Sequence, residues 1–360
     1  MAARPRILFA PLDWGLGHAT RCVPIIEEVL RQGGEPVLGT AGRAHAYLKA
    51  EFPALELINL PPYDIHYYRA NMYWNMGVQA PKFLRAVGRE HCQLQKIIRR
   101  RKIGAVISDN RFGCFSSLVP SVFITHQLNI RIPSPPLEWL VNRLNHHFIR
   151  RYDECWIPGQ PGTDNLSGAL SLPPESLPCR HIGRLSRLKP EEAAKEYDIL
   201  VLLSGPEPQR TQLEATLIRQ LKDLPLRVLL VQGKTERERC DYLTAGMEVR
   251  PYLKARGLQA AMSRASLVIC RSGYSTIMDL AAMGKKALLI PTPGQTEQEY
   301  LARRMQELGY CPFQYQNELD VKRGLSEVGF YPGFPKDDVG NGLLAGAIQS
   351  LITMCENWPD

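Results

Sequence analysis

A chain of 360 residues with 44% apolar composition is long enough for two domains with cores of their own, which excludes bulk disorder. Its 44 Lys and Arg against 36 Asp and Glu leave a net charge of +8, yet no zinc-finger spacing, RNP-like strand or arginine-rich tail accompanies that charge, so nucleic acid is not an expected partner. No apolar run approaches the ~18 residues of a spanning helix, and nine cysteines without a C-x-x-C pair fit reduced thiols in a cytoplasmic core.

In chain order, Ile7 to Leu12 reads as a strand and is followed by an amphipathic helix through Cys22, Ile25, Ile26, Val29 and Leu30. Pro36 to Thr40, Leu55 to Asn59, Ala105 to Ser108 and Val122 to Thr125 are the next strands. Leu137 to Arg151 is an amphipathic helix, expected to pack on the core with Arg143, Arg150 and Arg151 on its wet side. The second half repeats the rhythm with strands at Ile199 to Leu203, Arg227 to Val231, Leu267 to Cys270 and Ala287 to Ile290. Helices are predicted between them at Gln209 to Leu221 and Thr276 to Met283. Strand-helix alternation of this kind predicts α/β architecture with two doubly wound, Rossmann-like domains, residues 1–183 and 199–340. A charged stretch, 184–198, is the expected linker, and 341–360 the closing helix. The carboxyl ends of both sheets are expected to face a shared cleft, the place where open α/β sheets bind ligands. Residues through Asp198 carry 25 basic and 18 acidic side chains, so the positive excess lies in the first half and suits a phosphorylated ligand or an anionic membrane.

The first strand-helix turn runs Pro11-Leu12-Asp13-Trp14-Gly15-Leu16-Gly17-His18-Ala19-Thr20-Arg21. Gly15 and Gly17 allow a tight turn that presents N–H groups and a positive helix end. A dinucleotide fingerprint would need glycine where Thr20 stands and an acid after the second strand, where Thr40-Ala41-Gly42 stands, so NAD is not expected. His18 at a helix N-terminus is a candidate general base, with capping or packing as its other reading. Asp109 and His126, at the ends of two further strands, are placed to orient an acceptor or tune His18. An aromatic-rich segment from Pro61 to Trp74 includes Tyr68, Arg69 and Trp74, side chains suited to stacking on a sugar, to a lipid interface, or to packing beneath a loop.

The corresponding turn of the second half is Cys270-Arg271-Ser272-Gly273-Tyr274-Ser275-Thr276, with Asp279 further along the helix. Ser272, Gly273, Ser275 and Thr276 bring hydroxyls and N–H groups to a point suited to a pyrophosphate. Asp279 has two readings: a capping-box partner of Thr276, or a bidentate acceptor for ribose hydroxyls.

The run from Leu258 to Gly309 resembles the C-terminal domain of glycosyltransferase family 28, the family of the N-acetylglucosaminyltransferase of peptidoglycan synthesis. Arg271-Ser272-Gly273, Asp279, Gly284-Lys285-Lys286 to Pro291 and Gln295 to Tyr300 carry that resemblance. Gly17-His18-Ala19-Thr20-Arg21 is similar to the glycine loop of a bacterial and archaeal branch. The resemblance implies a GT-B fold, a UDP-sugar donor bound by the second domain, and inverting transfer without a metal. It also implies that Asp279 holds the ribose, and that Gln298 and Glu299 stand where the family has a Gln-Gln pair that reads the sugar. Ser204-Gly205 is what remains of the family's glycine-rich phosphate loop, since Pro206 and Pro208 remove N–H donors.

No D-x-D triplet is present, so no metal site and no cofactor are expected; Arg271, hydroxyls and helix ends would neutralise the leaving diphosphate. The resulting expectation is a cytoplasmic UDP-sugar transferase, attached peripherally to the inner face of the plasma membrane, with a lipid or glycan acceptor. Two other readings stay open. One is a UDP-N-acetylglucosamine 2-epimerase-like enzyme with Asp13 and Asp109 as acids, and the other a non-catalytic sugar-nucleotide-binding protein.

Overall fold

The computed structural model describes the backbone of residues 4–13, 16–63, 72–162, 164–234, 241–335 and 341–358, and the side chains of these apart from 72–80, 241, 242 and 341. The chain divides into two compact units, Met1–Leu185 with Val339–Asp360, and Ser186–Asp338.

In the first unit, β1 (Arg6–Pro11), β2 (Glu35–Thr40), β3 (Glu56–Asn59), β4 (Ala105–Asp109), β5 (Ser121–Ile124), β6 (Glu154–Ile157) and β7 (Cys179–His181) form one parallel sheet in the order β3-β2-β1-β4-β5-β6-β7. Ile7, Leu8, Phe9, Ala105, Val106 and Val122 are buried, as expected of strands covered on both faces. Four helices, α1 (Leu16–Arg31), α2 (Gly42–Glu51), α3 (Met72–Arg101) and α4 (Pro135–Ile149), connect these strands. The strand order reverses between β1 and β4, where Pro11 lies opposite Asp109. That switch point is where a doubly wound sheet opens a crevice for a ligand.

The second unit holds β8 (Tyr197–Leu202), β9 (Val228–Val231), β10 (Asp241–Thr244), β11 (Met247–Arg250), β12 (Ala265–Cys270) and β13 (Lys286–Leu289), in the order β10-β11-β9-β8-β12-β13, parallel except for the β10–β11 hairpin at one edge. Its helices are α5 (Gln209–Leu221), α6 (Ala255–Arg264), α7 (Tyr274–Ala282), α8 (Thr296–Glu307) and α9 (Val321–Val328). Here the order reverses between β8 and β12, so the turns after Leu202 and Cys270 share the switch point.

Several elements differ from the sequence expectation. Four strands, β6, β7, β10 and β11, were not anticipated, because each is short and carries charged residues, without the apolar run that marks the equally short β5 and β9. The segment from Met72 was expected as an aromatic loop, yet it begins the 30-residue α3, whose buried Val87, Leu94, Ile97 and Ile98 recur at helical spacing. The α4 helix keeps Arg143, with Arg150 and Arg151 just beyond it, on the wet side as expected, but most of its apolar residues do not meet the core. Among its described residues only Asn145 and Ile149 are buried, while Leu137, Leu140, Leu144 and Trp139 are exposed. Polar contacts explain this seating, since Asn145 Nδ2 donates to the carbonyls of Gln127 and Leu128, and Asn142 Nδ2 to that of Ile130.

From Ser186 onward the expected linker 184–198 is held by the second unit: the Lys189 N–H donates to Gln259 Oε1 at 3.0 Å and the Glu196 N–H to the Arg264 carbonyl. The closing helix, α10 (Asn341–Asn357), belongs to the first unit, where it packs on α1 and buries Ala347, Ile348 and Leu351. Arg180 of β7 donates to Ser350 of that helix at 3.1 Å.

Candidate active site

The first unit's site is assembled from the carboxyl ends of β1, β4 and β5. The Leu12 N–H donates to the Asp109 carbonyl, tying the turn into α1 to the end of β4. His18 and Arg21 are three residues apart on α1 and therefore lie on one face. Arg21 is buried and grips the equally buried Asp109 with Nε on Oδ2 and Nη2 on Oδ1. His18 Nδ1 lies 2.8 Å from Asp109 Oδ1 and 3.0 Å from Arg21 Nη2. These contacts decide the tautomer. Arg21 Nη2 already donates to Asp109, and an unprotonated Nδ1 at 2.8 Å from a carboxylate would set two acceptors against each other. The proton therefore sits on Nδ1, and Nε2 carries the lone pair. On the other side of the guanidinium, Arg21 Nη1 lies 3.1 Å from His126 Nδ1, which accepts from it, so His126 in its neutral form carries its proton on Nε2.

Burial would raise the Asp109 carboxyl, but the Arg21 guanidinium and His18 overcome it and hold the group at about 2. It is an anion throughout the physiological range. Three of the expected residues, His18, Asp109 and His126, thus meet around a fourth, Arg21, to which the sequence reading gave no role. The signal was present, since Arg21 follows His18 by three residues in the Gly-His-Ala-Thr-Arg run.

Behind this group lies a buried ion pair. Arg111 Nε donates to Glu90 of α3, its Nη2 donates to the Pro61 carbonyl, and Glu90 Oε2 accepts from Tyr63 Oη at 2.6 Å and from the Gly113 N–H at 3.0 Å. Tyr63 is buried against Phe83, so this part of the aromatic segment is packing and not a surface. Gly15, Tyr68 and Arg69 lie outside the described residues, as does the side chain of Trp74. Gly17 is within α1, where its carbonyl accepts from Thr20 Oγ1.

In the second unit, α7 starts at Tyr274 with Gly273 as its cap residue, so the first-turn N–H groups and positive helix end fall at Ser275 and Thr276. A Cβ added at Gly273 would meet nothing within 4 Å, which leaves open space beside the turn. Ser272 Oγ donates to the Gln298 carbonyl at 2.7 Å, and Gln298 Oε1 accepts from the Thr292 N–H at 2.9 Å. Gln298 therefore braces the β13–α8 loop, a duty the resemblance did not imply. Glu299 follows in the first turn of α8.

Arg271 is buried with carbonyl and amide partners: Ile290 O, Pro291 O, Gln209 O and Gln316 Oε1. Burial lowers it to about 10, so it remains a cation at neutral pH. Its Nε and the hydroxyl of the buried Thr292 have no hydrogen-bond partner among the described residues, and both lie within 4 Å of where a Cβ on Gly205 would stand. Gly205 has φ +105°, a conformation that glycine adopts without strain, and Ser204 and Gly205 are exposed.

Asp279 is the sixth residue of α7, too far along to close a capping box with the helix start. Its Oδ1 accepts instead from Ser186 Oγ at 2.6 Å, and burial pushes the carboxyl up to about 6, against the influence of Arg187 and Ser186.

Residues 209–328 match the glycosyltransferase family 28 C-terminal domain. That stretch is a third of the chain, which resembles glycosyltransferase family 28 there, and the protein is an enzyme of the glycosyltransferase class. It is 23% identical over 341 residues to the UDP-N-acetylglucosamine–N-acetylmuramyl-(pentapeptide) pyrophosphoryl-undecaprenol N-acetylglucosamine transferase of Caldanaerobacter subterraneus subsp. tengcongensis, a match covering 88% of each chain. To the enzyme of the same name from Azoarcus sp. (strain BH72) it is 33% identical over 141 residues, covering 36% of this chain and 39% of the relative. Among solved structures, Acinetobacter baumannii MurG superposes with a TM-score of 0.58 at 14% identity, over 99% of this chain and 100% of that one. The glycosyltransferase SnogD from Streptomyces nogalater gives 0.64 at 17% identity over 99% and 96%. The fold is GT-B.

Proposed function

We propose that this enzyme transfers a sugar from a UDP-sugar to an acceptor hydroxyl with inversion and without a metal, and that His18 is its general base. The observation that carries this reading is the His18–Asp109 contact at 2.8 Å, which leaves the imidazole lone pair on Nε2. As the acceptor oxygen attacks the anomeric carbon, the bond from that carbon to the diphosphate oxygen breaks, and the acceptor's proton passes to Nε2. The imidazolium then formed sits against the Asp109 anion, which stabilises it. One displacement inverts the anomeric configuration. The departing diphosphate is assigned to the first turn of α7 and the positive field of Arg271, and the ribose hydroxyls to Asp279. The UDP-N-acetylglucosamine in the names of the relatives supports a UDP-sugar, and their undecaprenol acceptor supports a lipid-linked one.

The test is incubation with a panel of nucleotide sugars and a membrane lipid extract, read by mass spectrometry. A mass gain of one sugar on a lipid, dependent on one UDP-sugar, is the expected result; UDP-sugar turnover with no acceptor would favour the epimerase reading. Against that reading stands Asp109, since a carboxyl held at about 2 by Arg21 has no proton to give near neutral pH.

Asp279→Ala is expected to weaken UDP binding by about 1 to 3 kcal/mol, the cost of leaving ribose hydroxyls unpaired. The melting temperature should hold or rise, because at neutral pH the variant removes a carboxylate that burial disfavours. Calorimetry that finds unchanged UDP affinity and a lower melting temperature would make Asp279 a structural residue.

The exposed face of α4 suits attachment to an anionic membrane. Trp139, 62% exposed, and Leu144, 50% exposed, share the helix with Arg143, whose guanidinium lies 5.3 Å from the Trp139 ring centroid. Apolar side chains beside cations are the composition of an interfacial helix. Sedimentation with vesicles should show binding to anionic bilayers that weakens in salt, as each Lys or Arg there contributes about 1 kcal/mol. Equal partitioning to neutral and anionic vesicles would remove this element and favour a soluble acceptor.

A further inference from the structure

Ser186 is the first residue of the second unit, and its hydroxyl makes two bonds of different kinds. Oγ donates to Asp279 Oδ1 at 2.6 Å and accepts from the Leu188 N–H at 3.1 Å. A hydroxyl has a single proton, so the Leu188 N–H, by occupying a lone pair, fixes the rotation that sends this proton to the carboxylate. Among the described residues Asp279 Oδ1 keeps a second lone pair and Oδ2 keeps both, which is what two ribose hydroxyls require of a bidentate acceptor. An aspartate has a single methylene between backbone and carboxylate, so the angle at which the carboxylate is presented has little slack.

We infer that Ser186 is a positioning residue for nucleotide binding: it holds the Asp279 carboxylate, ionised and in one rotamer, ready for the ribose of a UDP-sugar. This rests on the assignment of Asp279 to the ribose. Two groups face the carboxylate from the segment packed on α7, the Ser186 hydroxyl and the Arg187 cation, and both favour its charged form against burial. Ribose hydroxyls donate to a carboxylate better than to a carboxylic acid, so UDP affinity should fall as pH drops through the titration of Asp279, which burial has brought to about 6. Loss of the Ser186 bond removes one of the influences that lower this group, so its titration must move upward.

The experiment is titration of UDP into the intact protein between pH 5 and 8, for wild type, Ser186→Ala, Ser186→Thr and Asp279→Ala, with melting temperatures recorded alongside. Ser186→Ala is expected to weaken UDP about tenfold at pH 7, the order that a hydrogen bond to a charged group supplies, and to move the pH midpoint of binding upward. Ser186→Thr, which keeps the hydroxyl, should restore both. Asp279→Ala should bind weakly and keep only the midpoint of UDP's own terminal phosphate, at about pH 6, which serves as the baseline. If Asp279→Ala weakens UDP while Ser186→Ala matches wild type at every pH, the positioning role is overturned and the ribose assignment stands. Weaker binding by Ser186→Ala with an unmoved midpoint, or without rescue by threonine, reduces Ser186 to packing and overturns it too. Unchanged affinity in Asp279→Ala overturns the ribose assignment and this inference with it.

Discussion

His18→Ala should leave UDP affinity nearly intact and lower the transfer rate by roughly 10²- to 10⁴-fold, the contribution of a positioned general base. The residues proposed to hold the donor all belong to Ser186–Asp338, whereas His18 belongs to the other unit, so the two effects separate. The pH profile adds a second constraint. The wild-type rate should rise as one group loses its proton, and the variant should lack that limb. A capping or packing histidine predicts something else: a loss of about 1 kcal/mol of thermal stability with turnover reduced only modestly. If the variant retains most of its rate, or the limb survives, the base is another group. His126 could serve only by releasing Arg21, since the Arg21 Nη1 contact occupies its lone pair.

The parts of this site that could be read from sequence are those carried by local pattern. Gly17 and His18 stand directly after a strand-like run, and Arg271 to Asp279 after another, so strand ends and turn residues pointed to the two candidate clusters. What could not be read is long-range pairing. Asp109 is 88 residues from Arg21, and nothing in either segment states that the carboxylate is gripped on both oxygens. Ser186 and Asp279, 93 residues apart, are the same case: Ser186 lay in a stretch whose charges and proline suggested a bare linker. The α4 helix failed for a different reason. Periodicity reports an apolar stripe but not which side meets the core, and here amides of Asn142 and Asn145 seat their own side inward.

Those pairings also explain the opposite electrostatics of the two aspartates. Both are taken from water, which raises a carboxyl. Asp109 receives two guanidinium bonds and falls to about 2, while Asp279 receives one hydroxyl and the more remote influence of Arg187, and rises to about 6. The first is suited to permanent charge beside a base that must become positive. The second stays ionised at neutral pH but lies close enough to its titration for Ser186 and Arg187 to matter.

Asp109→Asn should be the more damaging of the two first-unit variants, because it alters fold and chemistry together. An amide has one acceptor oxygen where Arg21 and His18 need two, so its NH₂ must face one of them. Turned towards His18, it draws the imidazole into the other tautomer, with the proton on Nε2, and the lone pair needed for the acceptor hydroxyl is gone. Turned towards Arg21, it leaves a buried guanidinium facing a donor. The expected rate loss is at least as large as for His18→Ala, roughly 10²- to 10⁴-fold, with about 3 to 5 kcal/mol of stability lost as the Arg21 charge loses its partner. Acid unfolding gives an independent check on the sign. The carboxyl lies lower in the folded chain, at about 2, than its ordinary 3.8, so its contribution is fully present above about pH 4 and is lost as pH falls through 2. A shift of this size corresponds to about 2 kcal/mol. Asp279 has the opposite sign: it lies higher in the folded chain, so its destabilising effect at neutral pH fades as pH falls below 6. Asp109→Asn should therefore lose part of the acid sensitivity that the wild type shows between pH 4 and 2, while the change near pH 6 persists. An unaltered acid limb in the variant would show that the Arg21–Asp109 pair is not the anchor of this site.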